Sequence, residues 1–178
     1  MNKYVAFLRG INVGGHHKVP MAELRVEMGK LKCENVITIL NSGNAIFETE
    51  EADVDALEAK LSDHLEAAFG FPIPTIVRKV ELIEEFLKEE PFKDIEVTKD
   101  IRLYISFLRE DAEAAFDLPW ASEDGSFRIL GKKGKNILSV LDLSKSKTPK
   151  AMEVLEKSYG KGITTRNWKT ILRIEKKL

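Results

Sequence analysis

Apolar positions along the first eighty residues switch between strand-like runs and helical spacing, and the switches outline an architecture. KYVAFLR (3–9) is apolar and β-rich and predicts a strand. Pro20 then suits a helix start. Met21, Leu24, Met28 and Leu31 follow at helical spacing, predicting a helix over 20–32. NVITIL (35–40) and AIFE (45–48) predict two strands joined by the turn Asn41-Ser42-Gly43-Asn44. Asp53 can cap a second helix, whose stripe of Val54, Leu57, Leu61, Leu65, Ala68 and Phe69 ends at Gly70. Pro72 and Pro74 set an extended entry into a strand over 75–79, TIVRK. The order β-α-β-β-α-β predicts an α+β fold with a ferredoxin-like first half, two helices on one face of an antiparallel sheet.

The second half repeats this pattern more loosely. VELIEEFLKEE (80–90) predicts an acidic helix within a connector over 80–100. IRLYISFL (101–108) predicts a strand and 110–117 a short helix. Residues 126–131 and 136–142 flank Lys132-Lys133-Gly134-Lys135 as a hairpin. Thr148-Pro149, a cap followed by proline, opens a helix through Ala151, Val154, Leu155 and Tyr159 that Gly160 stops, with room for a last strand near Ile163. TTRNWKTILRIEKKL closes as a helix over 165–176, capped by Thr164 or Thr165 and anchored by Ile171, Leu172 and Ile174. The expected organisation is a ferredoxin-like half over 1–79, the connector, and a second α+β half with a C-terminal helix over 101–178. No sequence identity joins the halves on inspection, so a duplication rests on element order alone.

Composition narrows the class. Hydrophobic residues make up 43% of 178 and charged residues 32%, which suits a folded chain with one ordinary core or two small ones. A single cysteine, Cys33, excludes an intrachain disulfide and a cysteine-rich zinc site. No signal peptide and no long apolar span is visible, so the expected location is the cytoplasm, with no membrane partner. The net charge of −1 hides an asymmetry. Residues 130–178 carry 13 Lys/Arg against 4 Asp/Glu. Such an end suggests a polyanion partner, attraction between the halves, or lysines that are simply solvated loop residues.

The chemistry gathers by topology. In a ferredoxin-like half the loop after the first strand, the turn between the second and third, and the start of the fourth lie at one end of the sheet. Arg9, Asn12, Gly14, Gly15 and Lys18 should therefore face Asn41, Ser42 and Asn44, beside the N-terminus of the first helix. Glycines permit close backbone approach, arginine offers a bidentate fork and lysine a point charge. That set suits a small anionic or nucleotide-like ligand, and a plain tight turn is the alternative. GINVGGHHK matches neither a Walker A loop nor GxGxxG. His16-His17 lack a third ligand for a metal, though a histidine acid or base stays open. Ser42 lies in no GxSxG elbow. Ser144-x-x-Lys147 and Ser158-x-x-Lys161 fall in lysine-rich stretches where that spacing arises by chance, and Cys33 reads as a plain thiol. No carboxylate pair stands out, and no cofactor is named. In Thr165-Arg166-Asn167-Trp168, Arg166 and Asn167 are candidate ligand contacts and Trp168 a packing anchor.

LRGINVGGHHKVPMAELR, LNSGNAIFE and TTRNWKT together resemble the bacterial family catalogued as domain of unknown function 1697. The resemblance runs the whole chain. It implies an α+β fold with ferredoxin-like parts in a bacterial cytosolic protein, and it implies no activity. The family motifs fall on Arg9, Gly10, Asn12, Val13, Gly14, Gly15, Lys18, Val19, Pro20 and Met21, on Ser42, Gly43 and Asn44, and on Arg166, Asn167, Trp168 and Thr170. Three readings follow from the sequence. The first is a small-ligand protein, enzymatic or not, with its pocket between the 9–18 loop, the 41–44 turn and the start of the last helix. The second is nucleic-acid binding through Lys132, Lys133, Lys135, Lys145, Lys147 and Lys150. The third is an interaction module, such as a homodimer joined at a sheet edge.

Overall fold

The computed structural model describes residues 1–178. The chain forms two compact units, residues 1–85 with 174–178, and residues 86–173. The architecture is α+β, with a four-stranded and a five-stranded antiparallel sheet.

The first unit runs β1 (Asn2–Leu8), α1 (Met21–Lys30), β2 (Glu34–Ile39), β3 (Asn44–Thr49), α2 (Val54–Phe69) and β4 (Thr75–Lys79), and α3 (Val80–Glu89) begins within it. Its sheet order is β2-β3-β1-β4, with β3 between β1 and β2 as the ferredoxin-like reading requires. Tyr4, Ala6 and Leu8 of β1 share a core with Ala45 and Phe47 of β3, Leu24 and Met28 of α1, and Leu57, Leu61 and Leu65 of α2. Val5, Phe7, Ile46 and Ile76, on the other face of the sheet, are equally buried. That explains why β1 reads as a continuous apolar run rather than an alternation. Helix α2 starts where Asp53 accepts from Ala56 N–H at 3.1 Å and stops at a left-handed Gly70. Its Glu58 and Ser62, one turn apart, accept the outward N–H groups of Val77 (2.9 Å) and Thr75 (3.1 Å), so the edge strand β4 is covered.

The second unit contains β5 (Ile101–Leu108), β6 (Trp120–Ala121), β7 (Phe127–Lys133), β8 (Asn136–Asp142), α4 (Thr148–Tyr159) and β9 (Ile163–Asn167), followed by α5 (Trp168–Glu175), whose last residues group with the first unit. Two sequence expectations fail here. Residues 110–117 form no helix. A segment that short has little intrinsic helical stability, and Asp111 and Glu113 instead reach out to Lys132 Nζ at 2.5 and 2.6 Å. The closing helix starts at Trp168, not 165, because Thr164, Thr165 and Arg166 pair with β5 as strand β9. The helix is capped by Asn167, whose Oδ1 accepts Lys169 N–H at 2.9 Å, and not by a threonine. The short strand β6 was not anticipated; Trp120 stacks there on Phe116 at 4.7 Å.

The sheet order β6-β7-β8-β5-β9 contains, in β7-β8-β5-β9, the order of the first unit. The match extends to single hydrogen bonds. Leu8 N–H meets Gly43 O and Leu108 N–H meets Lys135 O, both at 2.8 Å, while Arg9 N–H meets Pro74 O and Arg109 N–H meets Gly162 O, both at 2.9 Å. Phe7 pairs with Asn44 as Phe107 pairs with Asn136, and Val5 with Arg78 as Ile105 with Arg166. In this register Tyr4, Phe7, Leu8 and Arg9 recur as Tyr104, Phe107, Leu108 and Arg109. The halves therefore do share sequence, in a Phe-Leu-Arg signal that inspection overlooked.

Candidate functional site

One end of the first sheet gathers three chain segments. Leu8 N–H ties β1 to Gly43 of the β2–β3 turn, and Arg9 N–H ties it to Pro74 before β4. Between β1 and α1 the chain folds into a small exposed hairpin. Val13 and His16 form its bridge, and Gly14 and Gly15 form its tip. Both glycines have positive φ, 58° and 76°, as a two-residue turn of the tight hairpin kind demands. Their place in the motif is thus set by the backbone.

Asn12 holds this hairpin down. It sits at φ 54°, which asparagine tolerates. Its amide donates to Val19 O at 3.0 Å and to Asn41 O at 2.7 Å, and its Oδ1 accepts Val19 N–H at 2.9 Å. Both amide hydrogens and one acceptor site of Oδ1 are engaged inside the protein, so Asn12 is a clasp between the loop, the start of α1 and the β2–β3 turn. Asn12→Ala is expected to cost about 2 kcal/mol, the scale of leaving backbone groups without partners. Urea unfolding, with faster hydrogen exchange at Val19, checks it. Asn44 is likewise structural: it is fully buried and donates to Ile39 O at 2.8 Å and Ser42 Oγ at 3.1 Å.

The surface around them carries basic and polar residues. Lys18, His16 and His17 are exposed and Arg9 half-buried, with Asn41 and Ser42 exposed on the facing turn. His17 stacks on Phe71 with ring centres 4.3 Å apart, its Nδ1 3.2 Å from Gly10 O. Residues 9–20, 40–45 and 70–75 contain no aspartate or glutamate, although 29 of the 178 residues are acidic. No three His, Cys, Asp or Glu side chains come together as a metal site. Cys33 is buried, and burial pushes its thiol up to about 11, which suppresses the nucleophilic thiolate at neutral pH.

Arg166 and Asn167 belong to the second unit. Arg166 is nine-tenths buried, and burial pushes its guanidinium down to about 10. Asn167 is engaged in capping α5, and Trp168 packs edge-on to Phe92 at 5.1 Å, as an anchor does. Half of the lysine set proposed for nucleic acid is also engaged. Lys132 is paired with Asp111 and Glu113, Lys133 with Glu89, and Lys135 donates to Arg109 O. Sequence reading missed Glu58 altogether. It is buried beside Arg78, and the only hint was its place one residue after Leu57, at the margin of the apolar stripe of α2.

This fold and this sheet end define a class: an α+β protein of two antiparallel sheets with a small exposed hairpin at one end of the first. Within that class the chain belongs to the family of proteins of unknown function DUF1697, whose profile matches residues 1–129. Among solved structures it is similar to the conserved bacterial protein SP0830 from Streptococcus pneumoniae. The two are 26% identical with a TM-score of 0.73, over 100% of this chain and 98% of that one. No curated protein matches. No helix is long and apolar enough to cross a membrane.

Proposed function

We propose that this protein binds a small phosphate-bearing ligand at the rim of its first sheet, in a reducing, cytoplasmic setting that suits its single buried thiol. The observation that carries the reading is the composition of the rim: the cations Arg9 and Lys18, beside His16 and His17, with no carboxylate in the three segments that meet there. Phosphate oxygens accept from an arginine fork and from a lysine ammonium. The Gly14–Gly15 tip lets a ligand approach backbone N–H groups without a Cβ in the way. Asn41 and Ser42 supply further polar contacts, while Asn12 and Asn44 hold the frame. The reading needs neither Arg166 nor Asn167. Binding of nucleic acid through the lysine-rich end has less support, since three of its six lysines already have protein partners.

The test is calorimetry and thermal shift with inorganic pyrophosphate and adenosine diphosphate. Saturation at about 100 times the dissociation constant stabilises by about 2.7 kcal/mol, a shift of several degrees. Lys18→Gln and Arg9→Gln are each expected to weaken binding about tenfold, a change of about 1.4 kcal/mol, with the circular dichroism spectrum retained. Absence of any shift with both probes, or unchanged binding in Lys18→Gln, overturns the reading.

A further inference from the structure

The second unit carries a half-open cavity of about 520 Å³ between the β6–β7 turn and the first turns of α4. That is within the size range of small-molecule sites. Ser122, Glu123, Asp124, Ser126 and Phe127 form one wall, and Ser146, Lys150, Ala151 and Val154 the other. We infer that this cavity is a site for a small zwitterion, an α-amino acid with an aliphatic side chain.

The acidic wall is rigid. One carboxylate oxygen of Asp124, Oδ1, accepts from Ser126 Oγ at 2.7 Å, Ser126 N–H at 3.0 Å and Ser122 Oγ at 2.8 Å. Gly125 and Ser122 close the turn beneath it, with Gly125 N–H on Ser122 O and Ser122 N–H on Phe127 O. The donors from Ser126 and Ser122 hold the Asp124 carboxyl well below the usual carboxylate range, so it is charged at every physiological pH. Oδ2 has no protein donor and is left for a ligand.

The opposite wall is positive, and it breaks a local rule. Helix α4 has twelve residues, no side-chain cap and no acidic residue in its first turn. Lys150 sits in that turn, where a cation opposes the helix dipole. Its ammonium makes no direct salt bridge with Asp124 or Glu123, although all three line the same cavity, but its charge acts across the cavity and helps to hold Asp124 ionised. A lone anion would meet two carboxylates there, and a lone cation would meet Lys150 and the positive helix end. A molecule carrying both charges a few bonds apart satisfies both walls. Its ammonium lies on Asp124 Oδ2 and its carboxylate on Lys150 and Ser146. Phe127, Ala151 and Val154 receive an aliphatic side chain.

Amide NMR of the full chain, titrated with L-valine, tests the assignment, with acetate and methylammonium as the separate halves. L-valine at millimolar concentration is expected to move the amides of 122–127, 146–148 and 150–151, and neither half to do so at the same concentration. Lys150→Gln is expected to weaken L-valine binding at least tenfold while leaving thermal stability unchanged or raised, because the cation leaves the helix N-terminus. Unmoved amides with L-valine, an equal response to acetate or to methylammonium alone, or undiminished binding in Lys150→Gln each overturns it.

Discussion

Gly43→Ala is expected to destabilise the first unit by about 3 kcal/mol, from left-handed strain of about 1–2 kcal/mol and an overpacking cost of similar size. Gly43 sits at φ +85°, and a Cβ there would lie 2.7 Å from Ile11 Cδ1 and 2.8 Å from Leu8 Cβ. The Ile11 methyl can swing aside; Leu8 Cβ cannot, because its backbone is locked to Gly43 O. Gly10 supplies the control. Its φ is +75° with nothing within 4 Å of a built Cβ, so Gly10→Ala should carry the strain alone, about 1–2 kcal/mol. Urea unfolding of both variants at unchanged m-value separates the two contributions. Equal losses at the two positions would show that the contact of β1 with the β2–β3 turn is loose, and the rim with it.

Glu58→Leu is expected to cost about 3–5 kcal/mol, the scale of breaking a buried pair by removing one partner. The Glu58 side chain is 2% exposed. Its Oε1 accepts Val77 N–H at 2.9 Å and Arg78 Nη1 at 3.4 Å. Burial pulls the Arg78 guanidinium below its ordinary value, and Glu58 acts against that pull. A leucine would leave a buried cation without this carboxylate and an edge-strand N–H without its acceptor. Glu58→Gln keeps an acceptor for Val77 and removes the charge, so its smaller loss apportions the cost between the two. Equilibrium unfolding and exchange of the Val77 amide are the readouts. A loss below about 1 kcal/mol, the ordinary value of an exposed pair, would show that Arg78 does not depend on Glu58.

Elements with punctuation at their ends were legible. Strand β4 follows Pro72 and Pro74, and α4 runs from Thr148-Pro149 to Gly160; the bounds of both are legible, but Thr148 is the first residue of α4 and not its cap, a place that Lys147 takes without a side-chain bond. The failures lie where distant partners decide. Thr164, Thr165 and Arg166 lead into a helix, so local spacing reads a helix from 165 with a threonine cap and leaves only a short strand near Ile163. Pairing with β5, some sixty residues earlier, makes them strand. The segment over 110–117 is extended because Ala112, Ala114, Phe116 and Leu118, at a spacing of two, pack on the core of the second unit, which no local window contains. The convergence at the rim followed from topology. The division of labour within it did not, because an asparagine serving backbone groups and one serving a ligand are the same letter. Asn12 and Asn44 reveal which they are only through Val19, Asn41 and Ile39.

A frame built twice in one polypeptide is also its own reference. Tyrosine, phenylalanine, leucine, arginine and the buried asparagine recur at matching positions, marking what that backbone demands. The segments carried on it diverged to opposite characters. Residues 9–20 hold cations and no acid, while 109–119 hold Glu110, Asp111, Glu113 and Asp117. Exchanging these two segments would move the charge without rebuilding the scaffold that displays it.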